Sequence, residues 1–365
     1  MRNYGQKGNG TAALRVVCAV VFCLFTFCYL YFYQADILYA EQHLLSGGKT
    51  TYDRTIGAVL ITVVLLALQI GVFSLTRIAK SAHFITYVPS FLVLTILTDY
   101  SPDADGTFSF GSWPWIAIIV LIVLAVIVFI VRQIQTIEPV GSTGLFSRIM
   151  WINMLGITVM AFLTGALSNG DDVFHYRMKM EMCLVRGQYN EALQVGKHAT
   201  ATDESLTMLR AYTLAHENKL GDQLFQYSLA GGSSALQPRG SHVCTILFDD
   251  RYIKNMARRR KATDYKLCAS LLDGDLEAFA KLITEHYDTD SAQIPRHYRE
   301  ALILYTRTRT NPIVAYHDEI LDTDYKDFIT LERQHADNAI ERAAAVSDVY
   351  HGTYWHYYRY VLQKQ

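Results

Sequence analysis

The sequence predicts an all-α protein in two parts. Residues 1–167 form a five-span transmembrane helical bundle, and residues 168–365 form an extracytoplasmic α-solenoid. Three observations predict this: an uneven charge distribution, five long apolar segments, and a repeated glycine-centred motif in a helical tail. Hydrophobic residues make up 51% and charged residues 18% of the chain, against roughly 25% charged in an average soluble domain. Residues 1–167 carry nine Lys/Arg and seven Asp/Glu, whereas residues 168–365 carry twenty-four and twenty-seven. That split excludes a single soluble domain, a disordered chain and a collagen-like one. A net charge of −1 gives no electrostatic reason to expect a nucleic-acid partner.

A hydrocarbon core about 30 Å thick needs about 20 mostly apolar residues as helix. Residues 16–33, 56–75, 115–131 and 149–167 satisfy this. Residues 84–98 are fewer and contain Pro89, so a re-entrant helix is the alternative there; their place between Lys80 and Asp99 favours a third span. Internal pairing of backbone groups in lipid requires these segments to be helices. Arg2, Lys7, Arg15, Arg77, Lys80, Arg132 and Arg148 fall in one alternating set of flanks, with Glu138 their only acid. The other loops hold Lys49 and Arg54 against Asp36, Glu41, Asp53, Asp99, Asp103 and Asp105. Excess Lys and Arg mark the cytoplasmic side, which puts the N-terminus inside and the tail from Ser168 outside. No small-residue cleavage site follows Tyr33, so the first span reads as an anchor rather than a signal peptide.

The spans hold little that ionises: His83 at an edge, with Gln69 the deepest polar residue of the second. Ion and proton pathways usually leave intramembrane charges, so a pump or coupled transporter is disfavoured. Cys18, Cys23 and Cys28, spaced by five, do not share one helix face and read as buried apolar thiols.

In the tail, apolar positions recur at three and four. The stretch Arg186-Gly187-Gln188-Tyr189-Asn190-Glu191-Ala192-Leu193 resembles the turn and second helix of a tetratricopeptide repeat. The aromatic of such a repeat would be Tyr176, and its small packing positions Ala192 and Ala199. Gly221 lies one 34-residue period later, and Asp273-Gly274-Asp275 gives a third version. Glycine permits the tight turn, and paired helices of this kind stack to bury their faces. The alternative is a one-off helical bundle. Residues 230–240, with Gly231, Gly232, Pro238, Arg239 and Gly240, read as a loop. The run Arg258-Arg259-Arg260-Lys261, near Asp249, Asp250 and Asp264, reads as a solvated face.

No phosphate loop, Gly-x-Ser-x-Gly elbow or His-Glu-x-x-His motif occurs, so no cofactor, metal or catalytic set is expected from local motifs. Cys183, Cys244 and Cys268 leave open either one bridge with a free thiol or three free thiols. Two clusters are the binding candidates. His297, Arg299 and Glu300 belong to a helix opened by Pro295 and would line a concave face, unless they are ordinary exposed polar residues. Tyr354, Trp355 and Tyr358 sit in an aromatic ending where Tyr354, Tyr357, Tyr358 and Val361 share a stripe. That stripe reads as a closing cap, or as a membrane-interface or partner surface.

The same ending, the helix after Pro295 and the first-loop stretch Tyr39-Ala40-Glu41-Gln42-His43 resemble an uncharacterised family of Bacteroidetes polytopic inner-membrane proteins with a tetratricopeptide-like tail. The resemblance covers most of the tail and the first loop. It implies a bacterial inner membrane and a periplasmic tail, and brings no established activity. More remotely, the layout looks like integral-membrane glycosyltransferases that use lipid-linked sugars and place a carboxylate in the first outside loop. The matching positions would be Asp36 and Glu41. The expectation is therefore a binding or scaffolding protein, in contact with membrane lipid and an envelope protein or peptide. The alternative is a transferase acting through Asp36 or Glu41.

Overall fold

The computed structural model describes residues 6–99, 112–134, 147–238, 243–248, 250–259, 262–288 and 293–362. Arg2, Asp103, Asp105, Glu138, Arg239, Gly240, Asp249, Arg260 and Lys261 lie outside the described residues. No strand occurs among the described residues. The chain forms two compact units, Met1–Asp171 and Asp172–Gln365.

In the first unit, α1 (Gln6–Cys28) runs into a π turn (Tyr29–Tyr33) and is followed by α2 (Ala35–Leu45) and α3 (Arg54–Thr76). A 3₁₀ segment (Lys80–Tyr87) leads into α4 (Val88–Thr98); α5 (Trp113–Ile134) and α6 (Arg148–Leu167) complete the unit. Among the described residues five helices are long and apolar enough to cross a membrane: Ala12–Tyr33, Arg54–Thr76, Lys80–Thr98, Trp113–Gln133 and Arg148–Leu167. The third begins earlier than expected because the 3₁₀ segment supplies its first turns. Pro89 falls in the first turn of α4, where its missing N–H costs no helical hydrogen bond. Asp53 starts α3 by accepting from the N–H groups of Thr55 and Ile56, as an N-cap carboxylate should.

Apolar side chains gain nothing by leaving lipid for one another, so close packing and polar contacts must join such helices. The Gln69 amide donates to the Thr86 hydroxyl at 2.8 Å and the Ser90 hydroxyl to the Leu65 carbonyl at 2.8 Å. Asn153 donates to the Lys80 carbonyl and accepts from the Phe84 N–H, each at 2.8 Å. Gly156 is needed beside it, since a Cβ there would overlap the Phe84 ring. Thr95 donates to Thr164 at 3.2 Å, Tyr29 to Thr98 at 3.3 Å, and Gln34 to the Tyr29 hydroxyl at 3.1 Å. Phe22 adds ring contacts to Tyr87 and Phe91, with centroids 5.0 and 5.2 Å away. These pairings set α1 against the direction of α3, and α4 parallel to α6. Arg15, Arg77, Lys80, Arg132 and Arg148 therefore gather at one end, and Asp36, Glu41, Asp53 and Asp99 at the other.

The second unit contains α7 (Asp172–Val185), α8 (Tyr189–Gln194), α9 (Glu204–His216), α10 (Leu220–Gln223), α11 (Asp250–Arg259), α12 (Thr263–Leu272) and α13 (Leu276–His286). It ends with α14 (Arg296–Thr308), α15 (Glu319–Gln334), α16 (Ala339–Tyr350) and α17 (Tyr354–His356), the last continuing as a π turn to Val361. Three helices end alike, on a left-handed residue at Gly187, Asn218 and Gly274. In each the next N–H reaches back five residues: Gln188 to Cys183, Lys219 to Leu214 and Asp275 to Ser270, at 2.8, 2.8 and 2.9 Å. This is the Schellman ending. The middle turn is thus at Asn218, not Gly221. Asn tolerates the left-handed region, while Gly221 lies inside α10 and serves close approach. A Cβ there would come within 2.7 Å of Pro295 and 2.8 Å of the Tyr298 ring.

Two of the expected second helices are short. α8 stops at Gln194, five residues before Ala199, as Val195 turns extended and Gly196 turns left-handed. The Tyr176 ring lies where a Gly196 side chain would be. One core joins Leu, Ile, Phe and Tyr side chains of α9, α12, α13, α14 and the C-terminal cap, and a second packs Met180, Leu184, Ala192, Leu206 and Met256 of α7, α8, α9 and α11.

Candidate functional site

The two sequence clusters, 54 residues apart, meet. Proline before α14 starts a helix on which His297 and Glu300, one turn apart, face the same way. Both are fully buried. His297 Nδ1 lies 3.0 Å from Glu300 Oε2, and the same oxygen accepts the Tyr354 N–H at 2.7 Å. Arg296 Nε donates to Glu300 Oε1 at 2.8 Å. The Trp355 indole donates to the Glu300 carbonyl at 2.7 Å. Burial alone would raise the Glu300 carboxyl, but hydrogen bonding and charge from His297, the Tyr354 N–H and Arg296 hold it below the ordinary range.

The tyrosines finish the lock. Tyr354 and Tyr357 donate to the Leu271 and Leu272 carbonyls at 3.2 and 2.9 Å, at the buried end of α12 where helical partners run out. Trp355 packs on Tyr325 and Phe328 of α15, and Tyr358 lies over Gly274. The ending is a cap joining α12, α14 and α15. His297, Glu300, Tyr354 and Trp355 do not line an open face: each is in the core, because an aromatic cap closes over α14. His297 Nε2 is buried with no hydrogen-bond partner, and its ring stands perpendicular to Phe225 with centroids 5.2 Å apart. Arg299 and Tyr358 are the candidates that reach the surface; Arg299 pairs with Asp318 at 3.1 Å.

In the first unit, Asp36 and Glu41 stand on α2 rather than on a loop. Five residues of helix separate their directions by about 140°, so they do not form a carboxylate pair. Glu41 is buried, and burial pushes its carboxyl up to about 7. Asp36 is half-buried in the first turn, where its carboxylate accepts from the Ile37 N–H.

Two buried charges were not singled out in the sequence, although each interrupts an apolar run. Glu181, between Met180 and Met182, accepts the Ile246 and Leu247 N–H groups at 2.9 and 2.8 Å. Burial pushes it up to about 7, against the opposing pull of the Leu247 N–H, Arg177 and the Ile246 N–H. Arg210, between Leu209 and Ala211, donates to the Gly196 and Ser228 carbonyls at 2.9 and 2.8 Å. Burial brings it down to about 10. Both tie loops to helices. Cys183, Cys244 and Cys268 are free thiols. No group of three His, Cys, Asp or Glu side chains suited to a metal ion occurs among the described residues.

Five apolar helices of spanning length followed by a compact helical unit define the class: a membrane protein with an appended helical domain. The chain belongs to a family of unknown function, DUF6057, whose profile matches residues 109–250 and 248–361. No curated protein and no solved structure matches the chain.

Proposed function

We propose that this is a bacterial inner-membrane protein that holds its Asp172–Gln365 unit in the periplasm as a degenerate tetratricopeptide-like binding surface. The partner is a protein or peptide of the cell envelope. One observation carries the reading. Ile313, Ile320, Ile340 and Val349 are 56–82% exposed, all on or just before the α15–α16 hairpin. Large apolar side chains held out in water favour burial against a partner. Arg299, paired to the Asp318 that caps α15, and Tyr358 supply polar and aromatic contacts. His297, Glu300, Tyr354 and Trp355 position that hairpin. The gathering of Arg15, Arg77, Lys80, Arg132 and Arg148 at one end of the spans supports a cytoplasmic N-terminus.

The test combines topology and capture. A fluorescent reporter that folds only in the cytoplasm, fused after Gly170, stays dark. Crosslinking in native membranes yields a partner that Ile320→Lys with Ile340→Lys loses while the melt is unchanged. A bright fusion, or a partner indifferent to both substitutions, contradicts the proposal. Glu41 favours a second reading, a transferase acting on a lipid-linked or envelope-polymer substrate. A carboxyl near 7 suits a general base. An envelope-glycan defect in Glu41→Gln, with no crosslinked partner, would favour it.

A further inference from the structure

Helix α5 is held at its two ends and is at most half-buried between them. At its start, the Trp113 indole donates to the Asp99 carboxylate. Near its end, Arg132 Nε donates to the Thr76 carbonyl and Nη2 to the Leu75 carbonyl of α3. These are the acceptors that a helix terminus leaves unsatisfied. Between the pins none of the span is buried against the unit. A groove of about 330 Å³ opens there, with Thr76 and Arg132 at its mouth. Its floor is one helical stripe: Leu121, Leu124, Ala125, Val128 and Phe129.

Three features select an occupant. From Leu121 to Arg132 the stripe runs about 16 Å along the helix, close to the roughly 15 Å depth of one leaflet's hydrocarbon. The stripe is apolar throughout, which suits an acyl chain. The mouth is cationic: Arg132 has Nη1 unused by its carbonyl pins, and the exposed Arg77 follows Thr76 directly. Arg15, Lys80 and Arg148 lie at the same end of the bundle, with no acid among the described residues there.

We propose that this groove is a binding site for an anionic phospholipid. One acyl chain lies along the α5 stripe, and the phosphate sits at Arg132 and Arg77. The lipid fills the gap that protein packing leaves between α3 and α5.

The full chain, purified in mild detergent and exchanged into an equimolar mixture of phosphatidylglycerol and phosphatidylcholine with matched chains, tests this by native mass spectrometry. Wild type retains phosphatidylglycerol over phosphatidylcholine by about fivefold to tenfold, since one basic residue near a membrane surface is worth about 1 kcal/mol. Arg77→Gln, which touches no pin, brings the ratio down severalfold, and Arg132→Gln brings it close to parity. Ala125→Phe fills the groove and abolishes retention with both arginines intact. A photoreactive acyl-chain phosphatidylglycerol crosslinks to the peptide carrying Leu121–Phe129. Equal retention of both lipids by wild type, retention unaffected by Ala125→Phe, or crosslinks confined to other helices would overturn the proposal. An unchanged melt for Arg77→Gln and Ala125→Phe separates these outcomes from misfolding.

Discussion

The two units hold their helices together by opposite means. In Met1–Asp171 the contacts between spans away from their ends are hydroxyls and amides: Gln69 with Thr86, Ser90 with Leu65, Thr95 with Thr164 and Asn153 with Lys80. Asp172–Gln365 adds deep contacts from ionisable side chains: Glu181, Arg210 and Glu300, each tied to backbone groups. The difference follows from the solvent. Moving a charge to the middle of the hydrocarbon is costly, so helices in lipid use neutral groups there. A unit with a hydrophobic core of its own can offset a few buried charges when backbone groups hydrogen-bond to them. Those charges then specify which loop meets which helix.

Breaking the charged contacts has the largest expected effect. Glu300→Ala removes the acceptor for Tyr354, His297 and Arg296 together, and costs the tail about 3–5 kcal/mol. At about 2–4 °C per kcal/mol for a unit of this size, that lowers its melting midpoint by about 10 °C, read by circular dichroism on the purified chain. A loss below about 2 °C would show the cap to be dispensable.

The buried glutamates also give opposite pH slopes. Glu300 is held below its ordinary range when folded, so its contribution is present at neutral pH and is lost as pH falls through the folded value. Glu181 is raised to about 7 when folded. The native state therefore holds its proton where the unfolded chain has released it, and stability falls as pH rises from the unfolded value towards 7. Glu181→Gln removes that slope and raises stability at pH 8 by on the order of 1–2 kcal/mol. An unchanged slope in the variant sinks the assignment.

Trp355→Phe keeps most of the packing on Tyr325 and Phe328 but loses the indole hydrogen bond to Glu300, a loss of about 1 kcal/mol. The smallest effect belongs to the spans. Thr95→Val should change the thermal stability of the detergent-solubilised chain by about 0.6 kcal/mol, the mean for such contacts in membranes. A loss as large as that of Glu300→Ala would erase the contrast between the units.

The spans were legible because a long apolar run bounded by basic residues has few other solutions. Pro89 misled only about where the third begins. Helix α2 was not legible: its eleven residues carry both polar and apolar side chains, and a short amphipathic helix reads like a loop between two spans. Its stop at Gly47 and Gly48 was the available signal. The turns at Gly187 and Gly274 were legible as glycines. The one at Asn218 was not, because a 34-residue period points to Gly221. The two clusters of the candidate site were visible separately. Their meeting was not, since no local pattern reports a contact across 54 residues. Arg296 and Glu300, four apart, look like an exposed helical pair until the aromatic cap covers the glutamate.

The contrast rests on the tail having a self-sufficient core suited to water. Residues 172–365 produced without the spans and without detergent test that most directly. The account predicts a soluble, helical unit that melts in one cooperative transition, with Glu300→Ala melting about 10 °C lower. An aggregated or non-cooperative product, or a melt indifferent to Glu300, would contradict it.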